Sequence, residues 1–141
     1  MQSFLTTLLL LCSCFDILGG ALGDVGTARY YGPPYLPTKC YGDDQDQFPS
    51  DGHFAAVSNG IWDNGAACGR RYRMRCISGP QRPCRNRSIV VEVVDFCRYN
   101  PCRATMALPF KAFEPSQSQD MVSGSTLNMH SNRLMCNIFY L

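Results

Sequence analysis

The stretch Arg71-Tyr72-Arg73-Met74-Arg75-Cys76 alternates charged and apolar residues without a break. A period of two marks a β-strand with one face in water and the other on a core. The arginines are expected on the solvent side, with Tyr72, Met74 and Cys76 facing inward. Downstream, Ile89-Val90-Val91-Glu92-Val93-Val94 is β-branched on both faces except at Glu92. That is the pattern of a strand covered on both sides. Residues 25–31 and 126–130 carry weaker strand character. The first runs into a Gly-Pro-Pro turn signal, and in the second Leu127 and Met129 alternate with polar neighbours. Residues 54–57 and 109–113 are expected as short helical turns, Pro109 being suited to a first helical position. Turn pairs such as Asn59-Gly60, Asn64-Gly65 and Gly79-Pro80 punctuate the chain, and residues 114–125 read as a polar loop. Many short strands with frequent turns argue for an all-β sandwich or barrel.

The N-terminus argues for export. Residues 4–11 hold five leucines and no charge, a run shorter than the roughly 20 apolar residues that span a bilayer. Small residues follow at Gly19, Gly20, Ala21 and Gly23, and cleavage after Gly23 gives a signal peptide over residues 1–23 with Asp24 as the new N-terminus. Two features depart from the pattern: no Lys or Arg precedes the core, and Asp16 lies near its end. The alternative is a buried N-terminal helix. No later stretch is apolar enough to anchor the chain, so the product is expected to be secreted rather than membrane-anchored.

Of nine cysteines, Cys12 and Cys14 leave with the signal and seven remain. In an oxidising compartment such thiols pair by default, and an odd number leaves one over. A zinc site is disfavoured: only Cys97 and Cys102 come near metal-ligand spacing, and His53 and His130 are remote in sequence. The formal net charge is +2. Asp43, Asp44, Asp46 and Asp51 form an acidic stretch, whereas Arg70, Arg71, Arg73, Arg75, Arg82, Arg85, Arg87, Arg98 and Arg103 make the second half basic. A basic face can meet acidic polysaccharide or nucleic acid; the blander reading, a solvated face, is preferred. Asn86-Arg87-Ser88 is an N-glycosylation sequon placed before the long strand.

Several adjoining segments match a known family. They are Asp24-Val25-Gly26-Thr27-Ala28, Tyr31, Pro33-Pro34-Tyr35-Leu36-Pro37-Thr38 with Cys40, and Gln47-Phe48-Pro49. The run Gly60-Ile61-Trp62-Asp63-Asn64-Gly65-Ala66-Ala67-Cys68-Gly69-Arg70 follows, then Arg75-Cys76-Ile77-Ser78 and Val93-Val94-Asp95. The set closely resembles the plant endoglucanase-45-like domain proteins, also called plant natriuretic peptides, which are related to the first domain of expansins. Ser125-Thr126-Leu127-Asn128-Met129 resembles the family's closing strand. The resemblance implies a six-stranded double-psi β-barrel over residues 24–135, leaving residues 136–141 as an atypical tail. It also implies the disulfides Cys40 with Cys68, Cys76 with Cys84 and Cys97 with Cys102, with Cys136 left over. For one pair spacing gives separate support, because Cys76 and Cys84 flank a Gly-Pro turn between two strands.

Related hydrolases cut glucan with inversion, using two carboxyl groups about 6.5–9.5 Å apart. By resemblance Asp95 matches the shared aspartate of these proteins and Tyr31 a tyrosine of the sugar groove. The general acid of the family lies in a His-Phe-Asp triplet, which here reads Thr105-Met106-Ala107. Alanine donates no proton, so no catalytic residue is assigned. Asp43, Asp44, Asp46, Asp51 and Asp63 are substitutes among which spacing selects none. The structural alternative for Asp95 is a strand-end carboxylate accepting backbone or arginine hydrogen bonds. No cofactor site and no nucleophilic triad are evident.

The expected function is therefore that of a secreted, non-catalytic apoplastic protein of the natriuretic-peptide type. It would act in water and ion balance and in stress responses through a cell-surface receptor or a cell-wall polysaccharide, as a monomer without nucleic acid. Candidate carbohydrate- or partner-binding residues are Tyr31, Asp95 and Trp62, the last more readily explained as core. Residues 34–65, with Tyr35, Tyr41, Phe48 and Phe54, are the expected partner surface. The alternatives are a β-glucan-binding, wall-loosening or weakly hydrolytic protein centred on Asp95, and a barwin-like defence module using the arginine-rich half.

Overall fold

In the computed structural model, residues 23–79, 84, 86–99, 102–113 and 133–141 are described. Six strands form: β1 (Asp24–Tyr30), β2 (Phe54–Val57), β3 (Arg71–Ser78), β4 (Ser88–Phe96), β5 (Met106–Leu108) and β6 (Arg133–Tyr140). Along β3 the alternation acts as read, with Arg71, Arg73 and Arg75 exposed and Met74 and Cys76 buried. β4 lies antiparallel to it, placing Tyr72 opposite Val91 and Met74 opposite Ile89.

The strands close into a barrel in the order β1-β5-β2-β4-β3-β6. Two pairs, β1 with β5 and β2 with β4, are parallel, and the others are antiparallel. This is the six-stranded double-psi β-barrel, and closure leaves no strand edge to template aggregation. Val57, Met74, Val91, Val93, Met106, Leu108 and Ile138 fill its interior, each contributing about 1.5–3 kcal/mol by leaving water. Gly26 lets β1 and β6 approach, since a Cβ there would stand 2.5 Å from Ile138 Cδ1.

A second, smaller core lies outside the barrel wall. Tyr31, Phe54, Ala56 and Val94 are buried there, with Tyr35 and Phe48 packed against them. The rings meet at 5.1 Å for Tyr31 with Tyr35 and 4.6 Å for Phe48 with Phe54. This outer layer explains why β4 is apolar on both faces near Val93 and Val94.

Two expectations are corrected. Residues 54–57 are not a helical turn but strand β2, buried at all four positions. Tertiary pairing decides the matter: β2 hydrogen-bonds to β4 on one side and β5 on the other, which outweighs the helix preference of two alanines. Residues 136–141 are not a tail beyond the domain. The boundary at 135 falls inside β6, which bridges β1 and β3 with Cys136 opposite both Gly26 and Cys76. Helix α1 (Asn59–Trp62) precedes β3, and α2 (Phe110–Phe113) follows β5, starting just after Pro109. The signal segment up to residue 22, the loop at 114–125 and the strands expected at 125–130 lie outside the described residues. Among the described residues no helix is long and apolar enough to cross a membrane.

Disulfides join Cys40 to Cys68, Cys76 to Cys84 and Cys97 to Cys102, with Cα separations of 5.5, 5.2 and 5.8 Å. Cys136 is a free, buried thiol, and burial pushes its pKa up to about 11. Thiolate is the reactive form, so at pH 8 the folded protein should resist a thiol reagent, reacting at least about a hundredfold slower than the unfolded chain. Stopped-flow labelling with and without denaturant measures this. Equal rates in the two states would place Cys136 at the surface.

Candidate functional site

The barrel register brings four residues into one lateral row. Arg29 of β1 lies beside Ala107 of β5, Ala107 beside Ala56 of β2, and Ala56 beside Asp95 of β4. Partners of this kind share a face, and Ala56 and Ala107 belong to the outer core, so the row lies on the outside of the wall. Neighbouring strands stand about 4.8 Å apart, which sets the backbones of Asp95 and Ala107, two strands apart, about 10 Å from one another. Carboxyl groups reaching toward each other from such positions would span the separation of an inverting glycosidase pair. Only one carboxyl is present.

A bulge aims that carboxyl. Ala55 pairs with Val93 and Ala56 with Asp95, so Val94 is the extra residue on β4. Without it, the alternation that sends Val91 and Val93 into the barrel would send Asp95 there too. The added residue restores Asp95 to the outer face. Asp95 is nonetheless only 2% exposed. Its Oδ1 accepts from the backbone N–H of Lys39 at 2.7 Å and of Phe96 at 2.8 Å. The strand-end structural role is therefore real, and it coexists with a position at the floor of a cleft.

That cleft, about 640 Å³, is lined by Lys39, Ser58, Asn59, Asp95, Arg98 and Tyr99 among others. A narrower cavity of about 100 Å³ adjoins it over Ala107, walled by Arg29, Tyr30, Tyr31, Arg98, Tyr99 and Arg103. Cys97, Arg98, Tyr99 and Cys102 line both, so the two openings adjoin along the loop held by the Cys97–Cys102 disulfide and are together termed the groove. Tyr31 is buried, and its phenol is raised well above the usual range by burial, by the nearby Asp95 charge and by Tyr35, against the lowering effect of Arg98. It stays a neutral hydroxyl at physiological pH.

The other sequence candidates lie elsewhere. Trp62 is half-buried, packs on Phe96 at 5.2 Å and against the barrel core, and lines neither opening. The expected partner surface is largely spent inward: Phe54 is buried and Tyr35 and Phe48 cover it, whereas Tyr41 is exposed. Asp44 and Asp51 accept from Asp46 N and His53 N, and Asp63 pairs with Arg70 at 2.8 Å. None of Asp43, Asp44, Asp46, Asp51 and Asp63 lines the groove. Asn86 is exposed and its Oδ1 accepts from Arg75. Among the described residues no group of three His, Cys, Asp or Glu side chains could hold a metal ion. Sequence reading missed Arg29, Lys39 and Tyr99, and saw Arg98 and Arg103 only as part of a basic half. The pairing of Arg29 with Ala107 is a register fact, and the disulfide loop at 97–102 was the only available signal for the other arginines.

If Asp95 holds the preceding loop, deleting its carboxyl should cost stability. Asp95→Ala orphans two backbone donors and should lose about 2 kcal/mol, whereas Asp95→Asn retains an acceptor and should lose less than half as much. Urea denaturation of the two variants checks this; equal losses would show that the bonds to Lys39 and Phe96 carry no weight.

A family model described as lytic transglycolase matches residues 54–115. The chain is 42% identical over 98 residues to EG45-like domain containing protein 2 of Arabidopsis thaliana, covering 67% of this chain and 71% of that protein. It is 38% identical over 109 residues to the EG45-like domain containing protein of Citrus jambhiri, covering 74% and 79%. Among solved structures, the apo expansin of Clavibacter michiganensis superposes with a TM-score of 0.53 at 20% identity, over 83% of this chain and 49% of that one. A point mutant of the same expansin, solved in complex with cellohexaose, gives 0.54. The chain spans about half the length of that expansin, and the likeness is one of fold. With this barrel and relatives of such identity over most of their length, the chain belongs to the plant EG45-like domain containing proteins.

Proposed function

We propose that this is a secreted, non-catalytic protein of the plant apoplast whose groove binds a cell-wall polysaccharide without cutting it. The observation that carries the reading is the row Arg29, Ala107, Ala56, Asp95, which keeps the spacing of a two-carboxylate site but offers one carboxylate. Hydrolysis with inversion needs an acid to protonate the leaving oxygen. The groups around Ala107 are poor acids: guanidiniums do not give up protons near neutral pH, and Tyr31 holds its proton more tightly than an ordinary phenol. General acid–base help typically supplies 10²–10⁴-fold, and its loss leaves binding as the use of the groove.

Asp95, Tyr31 and the exposed ring of Tyr99 supply the polar and aromatic contacts a sugar chain takes. An expansin of this fold was solved with cellohexaose, which supports a glucan among the ligands to try first. The finer role that the family resemblance implies, a mobile signal in water and ion balance acting through a cell-surface or cell-wall partner, would follow from this binding.

Purified protein should co-sediment with amorphous cellulose or xyloglucan and release no reducing sugar. Tyr31→Phe and Asp95→Asn should each weaken retention about tenfold through a lost hydrogen bond. Sugar release that vanishes in Asp95→Asn would replace this reading with an enzymatic one. The signalling role is measured separately, as a change in protoplast volume on adding the protein; no response at any dose removes it.

A further inference from the structure

The cavity over Ala107 differs in charge from the rest of the groove. Three arginines line it: Arg29 from β1, Arg98 from the disulfide-closed loop and Arg103 immediately after that loop. Among the described residues no acidic side chain is in its lining, and none of the three arginines makes an ion pair. Arg98 donates to the backbone oxygen of Pro34, which leaves most of its five donors unspent. Arg103 lies over the Tyr99 ring, 5.0 Å from its centroid. Tyr99 remains 54% exposed.

We propose that this cavity receives the carboxylate of an acidic saccharide, a glycan bearing uronic-acid residues. The proposal rests on the glycan-binding reading of the groove and names the chemistry of its ligand. An aspartate at position 107 would face Arg29 across the β1–β5 pair and neutralise it. Alanine there removes the negative charge and opens the space, so a proton-donating position becomes an anion-receiving one. Converging positive charge in a concave, partly walled site concentrates anions, and the planar guanidinium fork matches a carboxylate in two parallel hydrogen bonds. Tyr99, with Arg103 over one face of its ring, offers an exposed ring to the sugar that carries the acid. The charges favour a saccharide over nucleic acid. All three line one small cavity rather than tracking a backbone.

Calorimetric titration of the full secreted protein with tetragalacturonate, its methyl ester, cellohexaose and an RNA tetranucleotide tests this. The acid should bind at least about tenfold tighter than the ester. Arg103→Gln and Arg29→Gln should each erase most of that advantage of acid over ester. Ala107→Asp should erase it as well, which covers the case where Arg29→Gln fails to fold. Arg73→Gln removes the same charge from the exposed face of β3 and should change nothing. Equal binding of acid and ester, an equal loss in Arg73→Gln, or tighter binding of the RNA would overturn the inference. Cellohexaose separates the two levels: if it binds while the acid gains nothing, only this inference fails, and if no saccharide binds, the glycan reading falls with it.

Discussion

The carboxylate of Asp95 holds the backbone N–H groups of Lys39 and Phe96, and much of the molecule is arranged around that contact. The segment from Tyr31 to His53 has almost no regular secondary structure, and ordering its backbone costs about 1–2 kcal/mol per residue. It is fastened at adjacent points. Lys39 N binds Asp95, Cys40 N binds the carbonyl of the bulged Val94 at 3.3 Å, and Cys40 is bonded to Cys68. A disulfide closing 28 residues stabilises by roughly 3–4 kcal/mol on the loop-entropy model. The aromatic cluster of Tyr31, Tyr35, Phe48 and Phe54 supplies the rest. Remove the bulge, and Asp95 turns into an apolar barrel while the segment loses its tether.

The same contact divides the work of the groove. One oxygen of Asp95 is committed to structure, so the residue is held in place at the floor of the cleft and its side chain has little freedom. A fixed acceptor of this kind suits recognition of a sugar hydroxyl, where the loss of rotamer freedom has already been met on folding. Two strands away stands Ala107, at the position where the resemblance puts the acid of the hydrolases, with Arg29 one strand beyond it. On the proposed reading the barrel keeps the spacing of a two-carboxylate site, and its second half attracts negative charge in place of donating a proton.

Much of this was legible in the sequence, and the limits are physical. The alternation at Arg71 to Cys76 identifies β3 because a period of two has no helical counterpart, and the β-branched run at 89–94 identifies β4 by its composition. Phe54-Ala55-Ala56-Val57 was misread because four apolar residues have no periodicity to test, and only pairing on both sides makes them a strand. In β6, Cys136 and Ile138 are two apart and both buried, a strand signal that short length and an unfamiliar sequence concealed. Asp95 and Tyr31 were found through family resemblance. The arginines around Ala107 were not, because Arg29 and Ala107 lie 78 positions apart in sequence and meet only through the parallel pairing of β1 with β5.

The central claim is that the outer row of the barrel binds a glycan and leaves it intact. The most direct measurement is an NMR titration of the isotope-labelled protein with an oligosaccharide, following protein amides and sugar anomeric signals in one sample. Shifts concentrated at Tyr31, Lys39, Asp95, Tyr99 and Ala107, with the anomeric signals unchanged over days, are the predicted result. Shifts confined to the exposed face of β3, or new reducing-end signals growing with time, would contradict it.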